Sequence, residues 1–71
     1  MPKVGGTYRH YKGNIYTVLC VARSSENIDE QFVVYQDQKA PEKIWARPLS
    51  MFMEEVEWEE KRVLRFTYLG K

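Results

Sequence analysis

The chain has little of several residue types on which common functions depend. Its 71 residues include one cysteine, Cys20, and one histidine, His10. An intramolecular disulfide is therefore excluded, and so is a structural zinc site with about four Cys or His ligands. A secreted domain of this size usually needs disulfides, so we expect a cytoplasmic location. We also expect no metal and no cofactor. We expect no membrane partner, because no apolar stretch reaches the roughly 20 residues of a membrane span.

The chain also lacks a large excess of one charge, since its net charge is +1. Residues 1–25 nevertheless carry four cationic and no acidic side chains, whereas residues 26–71 carry seven basic and ten acidic ones. A basic surface for an anionic partner is one interpretation. We favour the other, in which the basic N-terminal strands pair with the acidic run Glu54–Glu60.

What the chain has in abundance is aromatic side chains, with five tyrosines, three phenylalanines and two tryptophans. Each can bury about 150–250 Å² of surface, which favours a folded domain over disorder. The length allows one domain, residues 1–71, with an ordered core at about 5–69, because a second core would leave each half too small to fold.

Six runs rich in aromatic and β-branched residues, separated by polar turns, predict strands. They are Thr7–Tyr11, Ile15–Arg23, Gln31–Gln36, Lys43–Arg47, Glu55–Trp58 and Val63–Leu69. We expect one short helical turn near Pro48–Met53. Residues 54–58 also fit a helical stripe, but their strict alternation favours a strand. Five or six short antiparallel strands predict a small all-β barrel, closed or half open.

The stretch Tyr-Arg-His-Tyr-Lys-Gly at residues 8–13 concentrates aromatic and basic side chains before a turn. A two-residue loop at Lys12-Gly13 would place His10 opposite Ile15. Cys20 would then lie roughly 17 Å along the strand, too far for a catalytic pair with His10. We therefore predict that Cys20 is a small buried core residue and that the chain has no catalytic residues.

Six residues are the candidates for binding, namely Arg9, His10, Tyr11, Lys12, Trp45 and Arg47. Alternation sends Tyr8 and His10 to one face of the first strand, and Arg9 and Tyr11 to the other. Trp45 and Arg47 share a face of their strand, so the guanidinium can lie against the indole, either as a structural cation–π contact or as a recognition corner.

A larger set of residues resembles a small bacterial family known as domain of unknown function 1653. The similarity spans about residues 5–68 and is carried by Gly6-Thr7-Tyr8-Arg9-His10-Tyr11-Lys12-Gly13-Asn14, Tyr16, Val18-Leu19, Val33-Val34-Tyr35, Trp45, Arg47-Pro48-Leu49, Met51-Phe52, Val56-Glu57 and Arg65-Phe66. The resemblance implies an SH3-like barrel and no established activity.

Three functions stay open for such a domain. The first is a binding or adaptor module that receives a protein or peptide at a rim where, by fold analogy, Arg9, Tyr11, Trp45 and Arg47 converge. The second is nucleic-acid binding through the basic N-terminal hairpin. The third, which we favour least, is a small enzyme that uses His10 with a glutamate. A homodimer held by exposed aromatic residues also stays open.

Overall fold

The computed structural model describes residues 1–70, which form seven strands and one short helix. The elements are β1 (Thr7–His10), β2 (Ile15–Arg23), β3 (Gln31–Asp37), β4 (Ile44–Pro48), α1 (Leu49–Met53), β5 (Glu55–Trp58), β6 (Lys61–Leu64) and β7 (Phe66–Gly70). The predicted helical turn and the predicted strand at residues 55–58 are both confirmed.

Five of the strands form one antiparallel sheet in the order β4-β3-β2-β1-β7, and β5 and β6 form a separate hairpin. The predicted class, a small all-β SH3-like fold, is confirmed. The predicted last strand, 63–69, is divided at Arg65. The Arg65 N–H donates to the Glu54 carbonyl at 3.0 Å, and its carbonyl accepts from the Tyr11 N–H at 3.0 Å. Arg65 thereby connects the hairpin to the sheet.

The β1–β2 turn is one residue longer than the sequence predicts. The His10 N–H donates to the Asn14 carbonyl at 2.8 Å, and the Gly13 N–H donates to the His10 carbonyl at 2.7 Å. Arg9, not His10, lies opposite Ile15. The predicted two-residue loop is therefore wrong, because a three-residue loop with Gly13 at φ +112° closes the hairpin instead.

A bulge in β2 overturns the predicted burial of Cys20. Val18 pairs with Tyr35 and Cys20 pairs with Val34, so Leu19 between them has no partner on β3. The extra residue shifts the alternation, so Val18 and Val21 face the core while Cys20 points outward. Cys20 is consequently exposed.

The core is an aromatic cluster between the sheet and α1. Its buried members are Tyr8, Val18, Val33, Tyr35, Phe52 and Phe66. The helix begins directly after Pro48 and inserts Phe52, whose ring stacks on Phe66 with 4.1 Å between centroids. The large rings allow a short chain to bury a substantial apolar area.

The acidic run pairs with cations from its own half of the chain. Glu54 bonds Arg65 at 2.7 Å, and Glu55 bonds Arg62 at 3.2 Å. Within residues 1–70, none of the four cations of the N-terminal segment forms an ion pair. The predicted pairing between the two halves is therefore wrong. Separately, none of the helices in this described range is long and apolar enough to cross a membrane.

Candidate functional site

A cleft of about 210 Å³ opens at one end of the five-stranded sheet. Its lining residues are His10, Tyr16, Tyr35, Trp45 and Arg47. We call it the aromatic–arginine cleft. Three of the six predicted binding residues line it, namely His10, Trp45 and Arg47.

Strand alternation brings these side chains from four strands to one face. Tyr35 on β3 lies directly opposite Trp45 on β4, and Arg47 follows Trp45 by two positions. Tyr16 on β2 lies opposite Tyr8, which precedes His10 by two positions on β1. Residues two positions apart in a strand share a face, so the cleft continues the core-facing side of the sheet to the surface.

The buried ring of Phe66 lies behind three of the lining side chains. Its centroid lies 5.0 Å from the His10 ring, 5.3 Å from the Tyr35 ring and 5.9 Å from the Tyr16 ring, each close to edge-to-face. Tyr16 and Tyr35 also meet edge-to-face at 5.1 Å. These contacts fix the side walls before any ligand arrives.

Arg47 is held at the mouth of the cleft by two contacts. Its Nε–H donates to the Tyr35 hydroxyl oxygen at 3.1 Å, and its guanidinium carbon lies 5.7 Å from the centre of the Phe66 ring. The cation–π contact is thus with Phe66, not with the predicted Trp45 indole. No carboxylate pairs with Arg47 within residues 1–70, so the N–H groups of both Nη atoms keep their capacity to bind a ligand.

The surroundings of His10 favour its neutral form over the imidazolium. Its Nδ1 accepts a hydrogen bond from the Lys12 N–H at 3.2 Å, which assigns the ring hydrogen of the neutral form to Nε2. Burial lowers the pKa of His10 from its ordinary value of 6.5, and the positive charges of Arg47, Arg65 and Lys12 lower it further. Two of these cations, Arg47 and Lys12, form no ion pair within residues 1–70.

The remaining predicted binding residues lie elsewhere. Arg9 and Tyr11 face a separate cavity of about 190 Å³, which also involves Trp58, Val63, Leu64 and Thr67 and which we call the hairpin groove. The Tyr11 and Trp58 rings meet edge-to-face at 5.2 Å. The predicted convergence of Arg9 and Tyr11 with Trp45 and Arg47 is wrong, because alternation turns the first pair away from His10. Lys12 is exposed at the loop tip.

Sequence reasoning missed Tyr16 and Tyr35 as lining residues of the cleft. The signal for Tyr35 is its position two residues after the buried Val33 on β3. Its partner Trp45, however, depends on the β3–β4 register, which the polar loop between those strands does not specify. Tyr16 becomes a wall only once the position of His10 in the β1–β2 hairpin is known.

Two other cavities contain none of the six predicted binding residues. One of them, about 400 Å³, lies between the β2–β3 loop and the start of α1, and Asn27, Asp29 and Glu30 line one side of it. Asn27 already accepts hydrogen bonds from the N–H groups of Asp29 and Glu30 within the loop. A third cavity, about 200 Å³, lies between the N-terminal segment and β7 and is mainly apolar.

The fold is a small all-β domain with an open cleft at one end of its five-stranded sheet. A family model described as "Protein of unknown function (DUF1653)" matches residues 6–68, nearly the whole chain. The chain belongs to this family, and the resemblance seen in the sequence is confirmed. A comparison with curated proteins gives no match.

A solved structure supports both the family and the fold. It is the crystal structure of a DUF1653 protein from Bordetella bronchiseptica, which is 37% identical to this chain. The TM-score is 0.81, and the alignment covers 93% of this chain and 86% of the other.

Proposed function

We propose that this domain is a non-catalytic, cytoplasmic binding module and that the aromatic–arginine cleft receives one side chain of a protein or peptide partner. The observation that carries the proposal is the state of Arg47. It is anchored through Nε to Tyr35, carries no balancing carboxylate within residues 1–70, and lies beside Trp45, which is 49% exposed. Exposed tryptophan and arginine side chains are the residue types that dominate binding energy at protein interfaces.

The size of the cleft favours a side chain over a whole small molecule. Its volume of about 210 Å³ lies below the roughly 300–1,000 Å³ of pockets that enclose small-molecule ligands. A segment whose remaining residues lie outside the cleft would fill it with one side chain.

The neighbouring edge strand favours an extended segment. β4 is the last strand of the sheet, and three consecutive residues on it, Ile44, Trp45 and Ala46, are exposed. An extended peptide that paired with this edge would present alternate side chains to the face on which Trp45 and Arg47 lie. Edge strands accept such added strands readily, because one side of their backbone has no partner.

The chemistry of the cleft supports binding rather than catalysis. The lining residues include neither a carboxylate nor a serine or cysteine nucleophile. The groups that perturb the pKa of His10 are all cations, so the glutamate partner required by the enzyme hypothesis is missing around its ring.

A random heptapeptide library displayed on phage and selected against the wild-type domain tests the proposal. Synthetic peptides from the selection are then measured against Arg47→Gln and, as a matched control on the hairpin groove, Arg9→Gln. We expect Arg47→Gln to weaken binding by about tenfold or more and Arg9→Gln to leave it unchanged. Thermal melting verifies that both variants fold.

Two results would overturn the proposal. One is a selection that enriches no peptide over an unrelated small β-domain. The other is a set of binders that Arg9→Gln weakens and Arg47→Gln does not, because the ligand would then occupy the hairpin groove.

A separate titration with single-stranded oligonucleotides checks the alternative function, nucleic-acid binding. Nucleic-acid binding through the N-terminal hairpin predicts a logarithmic salt slope of about 0.7 per phosphate contact that Arg9→Ala with Lys12→Ala reduces.

A further inference from the structure

We infer that the aromatic–arginine cleft is a carboxylate site, so the side chain that it receives is an aspartate or glutamate held by the two Nη atoms of Arg47. The inference rests on the proposed function and names the chemistry of its ligand. Three independent features support it, which are the hydrogen-bonding character of the lining, the charge around it and the orientation of the guanidinium.

The polar groups that line the cleft are donors. Arginine and the tryptophan indole have no acceptor, and the acceptor Nδ1 of His10 is occupied by the Lys12 N–H. The Tyr35 hydroxyl accepts from Arg47 Nε, and the Tyr16 hydroxyl accepts from Asn14 Nδ2 at 3.3 Å. Each hydroxyl therefore keeps its own hydrogen to donate. An ionised carboxylate complements such a lining with both of its oxygens, whereas an amide offers one acceptor oxygen and an ammonium group offers none.

The charge around the cleft is positive and not balanced locally. Of the cations near His10, Arg65 is neutralised by Glu54 at 2.7 Å, but Arg47 and Lys12 form no ion pair within residues 1–70. The nearest carboxylate along the core-facing side of β3 belongs to Asp37. Its Oδ1 is engaged by the Lys39 N–H at 2.8 Å, and it does not line the cleft. A carboxylate from a partner would supply the missing charge.

The orientation of Arg47 selects a planar, two-oxygen ligand. Because Nε is used by Tyr35, the edge of the guanidinium left for a ligand is the one formed by the two Nη atoms. That edge matches both oxygens of one carboxylate. Trp45 and Tyr16 would cover the apolar stem of the bound side chain and exclude water from the pair.

A phosphorylated residue would also be attracted to a positive cleft, but the observations favour a carboxylate. Sites that recognise phosphorylated residues gather several arginines. In this cleft only one guanidinium is left without an ion-pair partner, since Arg65 is committed to Glu54 and to the carbonyl of Met51.

The experiment compares three pentapeptides of sequence Ala-Ala-X-Ala-Ala that are blocked at both ends, in which X is glutamate, glutamine or phosphoserine. A fourth peptide is the glutamine form with a blocked N-terminus and a free C-terminal carboxylate. NMR titration follows the side-chain Nε–H of Arg47 and the indole N–H of Trp45 in the wild-type domain. We expect the glutamate peptide to bind about tenfold more tightly than the blocked glutamine peptide. Arg47→Gln should remove the difference, and Arg9→Gln should preserve it.

The pKa of His10 provides a second readout that affinity alone does not. A carboxylate bound beside the ring stabilises the imidazolium, so saturation with the glutamate peptide should raise the pKa of His10 above its ligand-free value. The blocked glutamine peptide should leave it unchanged. By linkage, the glutamate peptide should bind more tightly as the pH falls through the pKa of His10.

The outcomes separate the inference from the proposed function. Preference for the free C-terminal carboxylate supports a carboxylate site and identifies a chain terminus as its source. Equal binding of the glutamate and glutamine peptides, or tighter binding of the phosphoserine peptide, overturns the inference. If neutral peptides from the library still depend on Arg47, the proposed function stands without the carboxylate. If no library peptide binds, the proposed function itself fails.

Discussion

The aromatic–arginine cleft and the hairpin groove contain the same kinds of side chain and differ in their surroundings. Each has one tryptophan, one arginine and at least one tyrosine. The lining side chains of the cleft pack against the buried ring of Phe66, and neither surface has a carboxylate among its lining residues. The hairpin groove borders β5, whose sequence Glu-Val-Glu-Trp leads into two more glutamates at the turn.

This difference shows that composition alone does not define a binding surface. The stretch at residues 8–13 supplies His10 to the cleft and Arg9 and Tyr11 to the groove, because successive side chains of a strand point to opposite faces. Phe66, which lies behind the cleft, and Trp58, which lines the groove, are more than forty positions further along the chain.

The largest expected effect on stability comes from removing the buried ring behind the cleft. Phe66→Ala removes a buried ring that contacts four other aromatic residues of the core and cleft, and large-to-small changes of this kind cost about 3–5 kcal/mol. Trp58→Ala in the groove removes a ring that is 40% exposed, and we expect a cost of about 1 kcal/mol. Urea unfolding of both variants measures the contrast. Equal destabilisation would mean that the two surfaces are supported alike.

A smaller effect concerns the turn below the cleft. Gly13 has a φ of +112° at the end of the β1–β2 loop, a conformation that L-residues rarely adopt. Gly13→Ala meets no atom within 4 Å, so its cost of about 1–2 kcal/mol comes from the backbone alone. Thermal or urea unfolding measures it. A variant as stable as the wild type would show that the loop relaxes without loss.

The turn beside the groove should respond in the opposite direction. Glu59 and Glu60 both have positive φ, 51° and 67°, as expected for the two central residues of a type I′ hairpin turn. Glu60→Gly relieves the strain at one position, and we expect it to stabilise the domain by about 1 kcal/mol. Glu57→Gln on the neighbouring strand serves as a control for lost charge. A gain of the same size in the control would assign the effect to electrostatics.

The smallest expected effect is the pH dependence contributed by His10. Because its folded pKa is lowered, the unfolded chain binds the proton more readily. His10 therefore contributes no pH dependence well above 6.5 and reduces stability as the pH falls below that value towards the folded pKa. His10→Asn should lack this loss. Unfolding of both proteins between pH 7.5 and 5 measures it, and parallel stability curves would contradict the assignment.

The sequence predicts the regular parts of this fold and misses its irregular ones. The strands, the helical turn after Pro48 and the division of residues 8–11 between two faces follow from periodicity and from proline. The bulge that exposes Cys20, the third residue of the β1–β2 loop and the break at Arg65 do not, because each is set by backbone hydrogen bonds that tertiary contacts select. For the same reason, the sequence predicts only some of the residues that line the cleft. Trp45 and Arg47 share a strand, whereas their proximity to His10 and Tyr16 depends on strand order and register.

The two tryptophans allow one direct test of the central claim, since Trp45 lies in the cleft and Trp58 in the groove. Their indole N–H resonances can be assigned with Trp45→Phe and Trp58→Phe and followed while a library-selected peptide is added to the wild-type domain. We predict that the Trp45 resonance shifts and saturates while the Trp58 resonance stays in place. A shift of Trp58 with Trp45 unchanged would contradict the assignment of the cleft as the binding surface.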